Sequence, residues 1–372
     1  MRAEQTILPV GQQHARSRWG TQASGEAFDR KKSLFLTEQA QQFMKEQTFC
    51  VISGLDQHDE LGGFMALEKP GFIQIINEYM CLIQLDHSLA NTGIMQRLCH
   101  STHEGQEIRL ALFFICHPTR ERLCVHGTVE LLSRSSSEPS IQPTAFIYER
   151  LQHISLERTN GSQFIQPFEP LWLRLHVRQA FFHCAKYIRT CVEGLTSPMI
   201  KPETRISRLD SSISYLTKDI QAFIAEQVLC FLCTVDQMGQ CAVNHRNGHR
   251  GFLGTLPPDV DSPGGTLFLP DYSGNGAFEA IGNIFETGQA ALVIPNYAAQ
   301  MALCVSGSAH IVEMDNIPVQ FAHACVGAQR VVVLSVQRVE IQHGNWSTTL
   351  AYEQARAERI LFEARHDTVC HL

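Results

Sequence analysis

Hydrophobic positions along the chain fall into short runs closed by polar or glycine-bearing turns. FCVISGLD, LCFLCTVD, TLFL and AALVIPNYAAQMALCVSGSAHIVEM carry strand-like spacing. LWLRLHVRQAFFHCAKYIRT alternates in the same way before a second series of such runs begins. Helical spacing is confined to brief stretches: QAQQFMKEQ and KDIQAFIAEQ, each leading into a strand, and GAFEAIGNIFETG after a polar corner. Several short strands with few helices predict a mainly β protein with flanking helices (α+β), built as small antiparallel barrels.

The pattern repeats. FMKEQTFCVISGLD and FIAEQVLCFLCTVD match at an offset of 180 residues, which brings Phe43, Glu46, Gln47, Cys50 and Asp56 onto Phe223, Glu226, Gln227, Cys230 and Asp236. The same offset carries Gly71-Phe72 onto Gly251-Phe252, Ala111-Leu112 onto Ala291-Leu292, and LCVHG at Leu123 onto LCVSG at Leu303. An internal duplication follows. The expected organisation is an N-terminal extension over 1–35, a first barrel domain over 36–204 and a second over 205–372. A Ser/Pro-rich loop near 133–143 interrupts the first domain.

Composition narrows the functional classes. The 372 residues are 44% hydrophobic and 18% charged, as expected of a globular protein, and the net charge of −7 disfavours a broad grip on nucleic acid. No apolar run reaches membrane-spanning length and the first residues lack a signal-peptide core, so a cytoplasmic location and no membrane partner are expected. The thirteen cysteines sit mostly inside apolar strands, which points to buried thiols rather than a disulfide framework. Cys230 and Cys233 form a CxxC, yet within a strand they face opposite sides, and no metal site is expected.

Candidate chemistry gathers in the second copy. PDYSGNGAFEAIGNI, from Pro270 to Ile284, turns from a strand into a helix, and free N–H groups beside Ser273, Gly274, Asn275 and Gly276 suit an anion. A packed, capped turn is the plain alternative. In NHRNGHRGF, Arg246 offers a guanidinium fork matched to phosphate, with His245, His249 and Arg250 nearby; a solvated basic turn is the alternative. At the repeat offset His245, Arg246 and His249 become Met65, Ala66 and Lys69, so the first copy reads as a partner that has lost its site. Asn283 either contributes to the corner or packs its helix on the barrel, and Tyr272 either touches a ligand or closes the turn.

The order FIAEQVLCFLCTVD, NHRNGHRGF, LFLPDYSGNGAFEAIGNI, LCVSGSAHIV resembles the pyridoxamine 5'-phosphate oxidase-like family of FMN-binding split barrels. RSRWGTQASGEAF and AFFHCAKYI resemble one branch of it, in which the latter usually reads FGNCPKYI. The resemblance implies two tandem split β-barrels of the FMN-binding type, paired within the chain, with FMN at the seam; a further homodimer stays open. It implies cofactor contacts from His245, Arg246, Tyr272, Ser273, Gly274, Asn275, Gly276 and Asn283. In the segment matching NCPKYI, Cys184 and Lys186 keep the family's residues, and a thiol beside His183 and Lys186 is either a reactive group or a packed strand end. Where the branch carries Asn-Thr this chain has Glu279-Ala280. A carboxylate turned toward a phosphate repels it by about 4 kcal/mol per charge pair at roughly 4 Å and an effective dielectric near 20; one turned outward does not.

The expected function is FMN-dependent oxidoreduction of a small organic substrate. His245, His249, Tyr272, Cys184 and Lys186 are the candidate catalytic groups. A haem-binding or haem-degrading split barrel and a non-catalytic scaffold are the alternatives.

Overall fold

The computed structural model describes residues 8–101, 107–117, 119–132, 171–183, 212–322, 324–344 and 346–369. The Ser/Pro-rich stretch, the domain boundary near 205, Cys184 and Lys186 lie outside them.

Two short helices, α1 (Val10–Arg18) and α2 (Gln22–Asp29), precede the first barrel. That barrel runs α3 (Glu38–Lys45), β1 (Phe49–Leu55), β2 (Leu61–Leu67), β3 (Ile73–Asn77), β4 (Met80–Leu85), α4 (Gly93–Ser101), β5 (Ile108–Cys116), β6 (Glu121–Leu132) and β7 (Leu171–His183). After β8 (Ser212–Ile213), the second runs α5 (Lys218–Glu226), β9 (Leu229–Val235), β10 (Cys241–Asn247), β11 (Gly254–Leu256), β12 (Thr266–Asp271), α6 (Glu279–Thr287), β13 (Gln289–Asn296), β14 (Met301–Glu313) and β15 (Arg330–His343). Helix α7 (Ser347–Val369) follows. The strand orders are β2-β1-β5-β6-β7-β4-β3 and β10-β9-β13-β14-β15-β12-β11, the same path taken twice, with antiparallel pairing throughout. The molecule is a pair of tandem split β-barrels related by internal duplication.

The duplication reaches single hydrogen bonds. Thr37 caps α3 by accepting from the Ala40 N–H, and Thr217 caps α5 by accepting from the Ile220 N–H, both at 3.2 Å. Asp56 Oδ1 accepts from the N–H groups of His58 and Glu60 across the β1–β2 turn, and Asp236 Oδ1 accepts from those of Met238 and Gln240. Both residues recur at the 180-residue offset, and each closes a turn or a helix end.

Alternate strand positions separate two interiors from a seam. Cys50, Ile52, Leu112 and Phe114 fill the first barrel, and Cys230, Leu232, Leu292 and Ile294 fill the second. The intervening positions, among them Val51, Phe113, Phe231, Cys233 and Val293, form one further apolar cluster drawn from both barrels, with the Phe113 and Phe231 rings 5.8 Å apart across it. Cys230 and Cys233 accordingly lie on opposite faces of β9.

Candidate active site at the barrel seam

A cavity of about 300 Å³ opens where β10 and the β12–α6 corner meet the N-terminal helices and the first barrel. His245, Arg246, Tyr272, Ser273, Gly274, Asn275 and Gly276 line it, and Phe28, Arg122 and His183 supply the opposite wall. Of the other residues singled out in the sequence, His249 is exposed on the turn after β10, and Asn283 is buried, donating to Thr234 Oγ1 at 3.1 Å to fix α6 on the barrel. Neither borders the cavity. Tyr272 lines it while its hydroxyl donates to the Ala324 carbonyl at 3.4 Å.

The corner differs locally from the sequence expectation. The helix begins at Glu279 rather than Gly276. Asn275 Oδ1 accepts from the Ala277 N–H at 3.1 Å, and Phe278 takes a left-handed conformation (φ 53°), which keeps both residues out of the helix. Such a conformation in an aromatic residue is strained by roughly 1–3 kcal/mol and persists only when its surroundings hold it. Here the Phe278 ring packs against Trp19, 5.1 Å away, and lies beneath the Arg330 guanidinium at 4.7 Å. Close approach at Gly276 comes from the chain itself: a Cβ there would collide with Ser24, and Thr21 Oγ1 donates to the Gly276 carbonyl at 3.2 Å. At Gly274, by contrast, a Cβ would meet nothing within 4 Å.

Charges in and behind the cavity are paired. Arg246 Nη1 lies 2.9 Å from Asp271 Oδ1, and Arg330 Nη1 lies 3.5 Å from Asp271 Oδ2. Among the described residues the Arg246 Nε is buried without a protein partner. Glu279 faces inward, yet Lys32 Nζ sits 3.2 Å from its Oε1. Burial, the largest influence, works to raise the Glu279 pKa; the Lys32 ammonium first, then His126 and His183, together more than offset it and leave the carboxyl below its ordinary value. The inward carboxylate is therefore compensated. His183 and His245 are held neutral: burial pushes His183 down to about 3, and burial followed by nearby His117, Arg122 and Arg246 pushes His245 well below its ordinary value.

Sequence reasoning missed Phe28, Arg122, Lys32, Asp271 and Arg330. Phe28 closes the RSRWGTQASGEAF string, whose Arg16, Trp19, Thr21 and Ser24 all meet the corner: Arg16 is fully buried, pairs with both Asp29 oxygens and donates to the Ala277 carbonyl at 3.1 Å. The signal was the string itself. Strand pairing alone brings Arg122 to the cavity and sets Arg330 behind it against Asp271, and no local pattern marks either.

The arrangement defines a class: a tandem split-barrel protein with a polar pocket between its halves. No family model matches the chain, and no curated protein matches it. Among the solved structures similar to a third or somewhat more of it are the following three. One is a candidate pyridoxamine 5'-phosphate oxidase from Lactobacillus delbrueckii (24% identity, covering 34% of this chain and 93% of that one, TM-score 0.27). Another is a pyridoxinephosphate oxidase family protein from Clostridium acetobutylicum related to general stress protein 26 (13%, 39% and 85%, TM-score 0.23). The third is the haem storage protein HutZ from Vibrio cholerae (14%, 36% and 99%, TM-score 0.23).

Proposed function

We propose that the seam pocket takes a flavin mononucleotide and that the chain uses it in oxidoreduction of a small organic substrate. One observation carries this reading: residues of β10 and the β12–α6 corner, singled out by a family resemblance, converge on one cavity walled by the opposite barrel. The donor set suits a phosphate ester. Among the described residues Arg246 Nε is buried without a partner and Gly274 leaves open space for close approach, and Arg122 adds a second guanidinium from the far wall. Flavin, when bound, supplies the hydride or electron transfer. The chain's part is to grip the phosphate with Arg246, Ser273 and the backbone around Gly274, to exclude water with Phe28, and to present neutral imidazoles at His183 and His245. Each neutral ring carries one N–H donor and one acceptor nitrogen, so the two are placed to hydrogen-bond the ligand rather than to take up a proton near pH 7.

The test is the visible spectrum of the purified protein and a titration with FMN, expected to saturate at one equivalent per chain. Arg246→Ala is expected to weaken FMN binding by about tenfold to a hundredfold, the equivalent of a charge-assisted contact of ~1.5–3 kcal/mol. Failure of the wild-type protein to bind FMN under any condition removes the reading.

A haem-binding reading is favoured by a different observation. Among the described residues His183 Nε2 is buried without a partner at the cavity wall, and a neutral imidazole is the form that ligates iron. Haem titration with His183→Ala as the control separates the two: a haem spectrum lost in that variant selects the second reading.

A further inference from the structure

Glu279 is the residue in the cavity wall that least suits an anionic ligand, and the fold places Lys32 against it. Lys32 belongs to the segment leading from α2 into the first barrel, far from α6 in sequence. Its ammonium lies 3.2 Å from Glu279 Oε1 and 3.7 Å from Asp29 Oδ1, above the rings of Phe181 at 5.0 Å and Phe28 at 5.7 Å. Both side chains of the Lys32–Glu279 pair are nearly buried, 12% and 10% exposed, so water screens the pair weakly. Asp29 is itself held by Arg16, which donates to the corner carbonyl of Ala277. The cavity wall holds two carboxylates; Asp271 is paired with Arg246 and Arg330, and the N-terminal helices carry a cation to the other, Glu279.

We propose that Lys32 is a positioning and specificity-determining residue: by neutralising Glu279 it lets the seam pocket accept an anionic ligand. This rests on the flavin reading for the identity of the anion but not for the charge relation itself. The groups facing the Glu279 carboxylate are Lys32 from the N-terminal segment, His126 and the Cys124 thiol from β6, the thiol kept protonated by burial, and His183 from β7. Both imidazoles are held neutral by burial, pushed down to about 4 and about 3, which leaves Lys32 as the cation that balances the carboxylate near pH 7.

The experiment compares Lys32→Met, Glu279→Gln and the double variant with the wild type. Lys32→Met is expected to weaken FMN binding at least about tenfold, because it leaves a buried carboxylate without its partner. Glu279→Gln in the same chain is expected to restore affinity to within about threefold of the wild type. A lysine that served only to hold the N-terminal helices would show no such rescue: equal losses in the single and double variants overturn the proposal. Should the wild type bind no FMN, ligand-free stability reads the same relation. Without Lys32, burial raises the Glu279 pKa above its unfolded value, so the charged form is disfavoured in the folded chain. Lys32→Met then loses stability relative to the wild type as pH rises from 4 to 8, and Glu279→Gln abolishes that dependence. A pH-independent penalty for Lys32→Met overturns the proposal whatever the ligand.

Discussion

Asp271 holds two guanidiniums at once, Arg246 at 2.9 Å and Arg330 at 3.5 Å, and it is nearly buried. Its register partner across the β12–β15 pair is Arg330; the equivalent pair in the first barrel, β4 with β7, sets Leu85 against Leu171. The counterpart of Arg246 at the repeat offset is Ala66. An ion triad in one barrel is thus aliphatic in its twin, and the twin is well packed, with Ala66 and Leu85 fully buried. Buried ion networks add little to stability over apolar replacements, whereas removing one member leaves uncompensated charge. Asp271→Asn should therefore cost ~3–5 kcal/mol in urea unfolding. The triple variant Arg246→Ala, Asp271→Leu, Arg330→Leu should stay within roughly 1–2 kcal/mol of the wild type while losing FMN affinity. Asp271 and Arg246 were visible in quoted strings. Arg330 was not, because its place depends on a strand pairing made far along the chain.

At the scale of elements, the repeated LCVHG and LCVSG strings have a physical cause. Each ends at a β-bulge, between His126 and Gly127 in β6 and between Ser306 and Gly307 in β14. A Cβ at Gly127 would collide with the His176 carbonyl, and one at Gly307 with the Ser335 carbonyl. The bulge lets a long strand bend around its barrel, and glycine is what the close backbone admits. Gly127→Ala and Gly307→Ala should each destabilise by about 1–3 kcal/mol in chemical denaturation, the usual cost of overpacking. Strand content, the duplication and these turns were legible because they depend on local period and on short polar caps. The start of α6 was not: GAFEAIGNIFETG reads as helix from its first residue, and only the packing of Trp19 and Arg330 on Phe278 explains why it begins later.

At the scale of the whole molecule, the two halves differ in what fills the position equivalent to the cavity. Counting from the matched bulges, Gln342 of β15 stands where β7 has His183, and Met65 stands where β10 has His245. Gln342 bonds the Met65 backbone on both sides, accepting from its N–H at 2.9 Å and donating to its carbonyl at 2.5 Å. Trp346 and α7 continue over this face: Thr349 donates to the Glu68 carbonyl at 3.3 Å, and Thr48 donates to Glu353 at 2.7 Å. The first barrel's face is closed by the chain's own C-terminal segment, while among the described residues the second barrel's opens onto the cavity beneath the N-terminal helices.

The closed seam also fixes how the molecule responds to acid. His117, the repeat counterpart of Tyr297, is buried between Phe49 and Tyr297 with neither ring nitrogen partnered among the described residues, and burial pushes its pKa down to about 4. His126, His183 and His245 are depressed for the same first reason. In the unfolded chain an imidazole takes a proton near pH 6.5, so between that value and the folded pKa the unfolded state binds more protons. Stability is then full above about pH 6.5 and falls as pH drops toward the folded values, by about 2 kcal/mol per such imidazole at pH 5. His117→Phe keeps a ring against Phe49 and Tyr297 and removes the titrating group. Its loss of stability between pH 7 and pH 5, measured by urea unfolding, should be smaller than the wild type's by about 2 kcal/mol. An equal loss in both proteins would mean that His117 is already solvated or partnered in the folded seam.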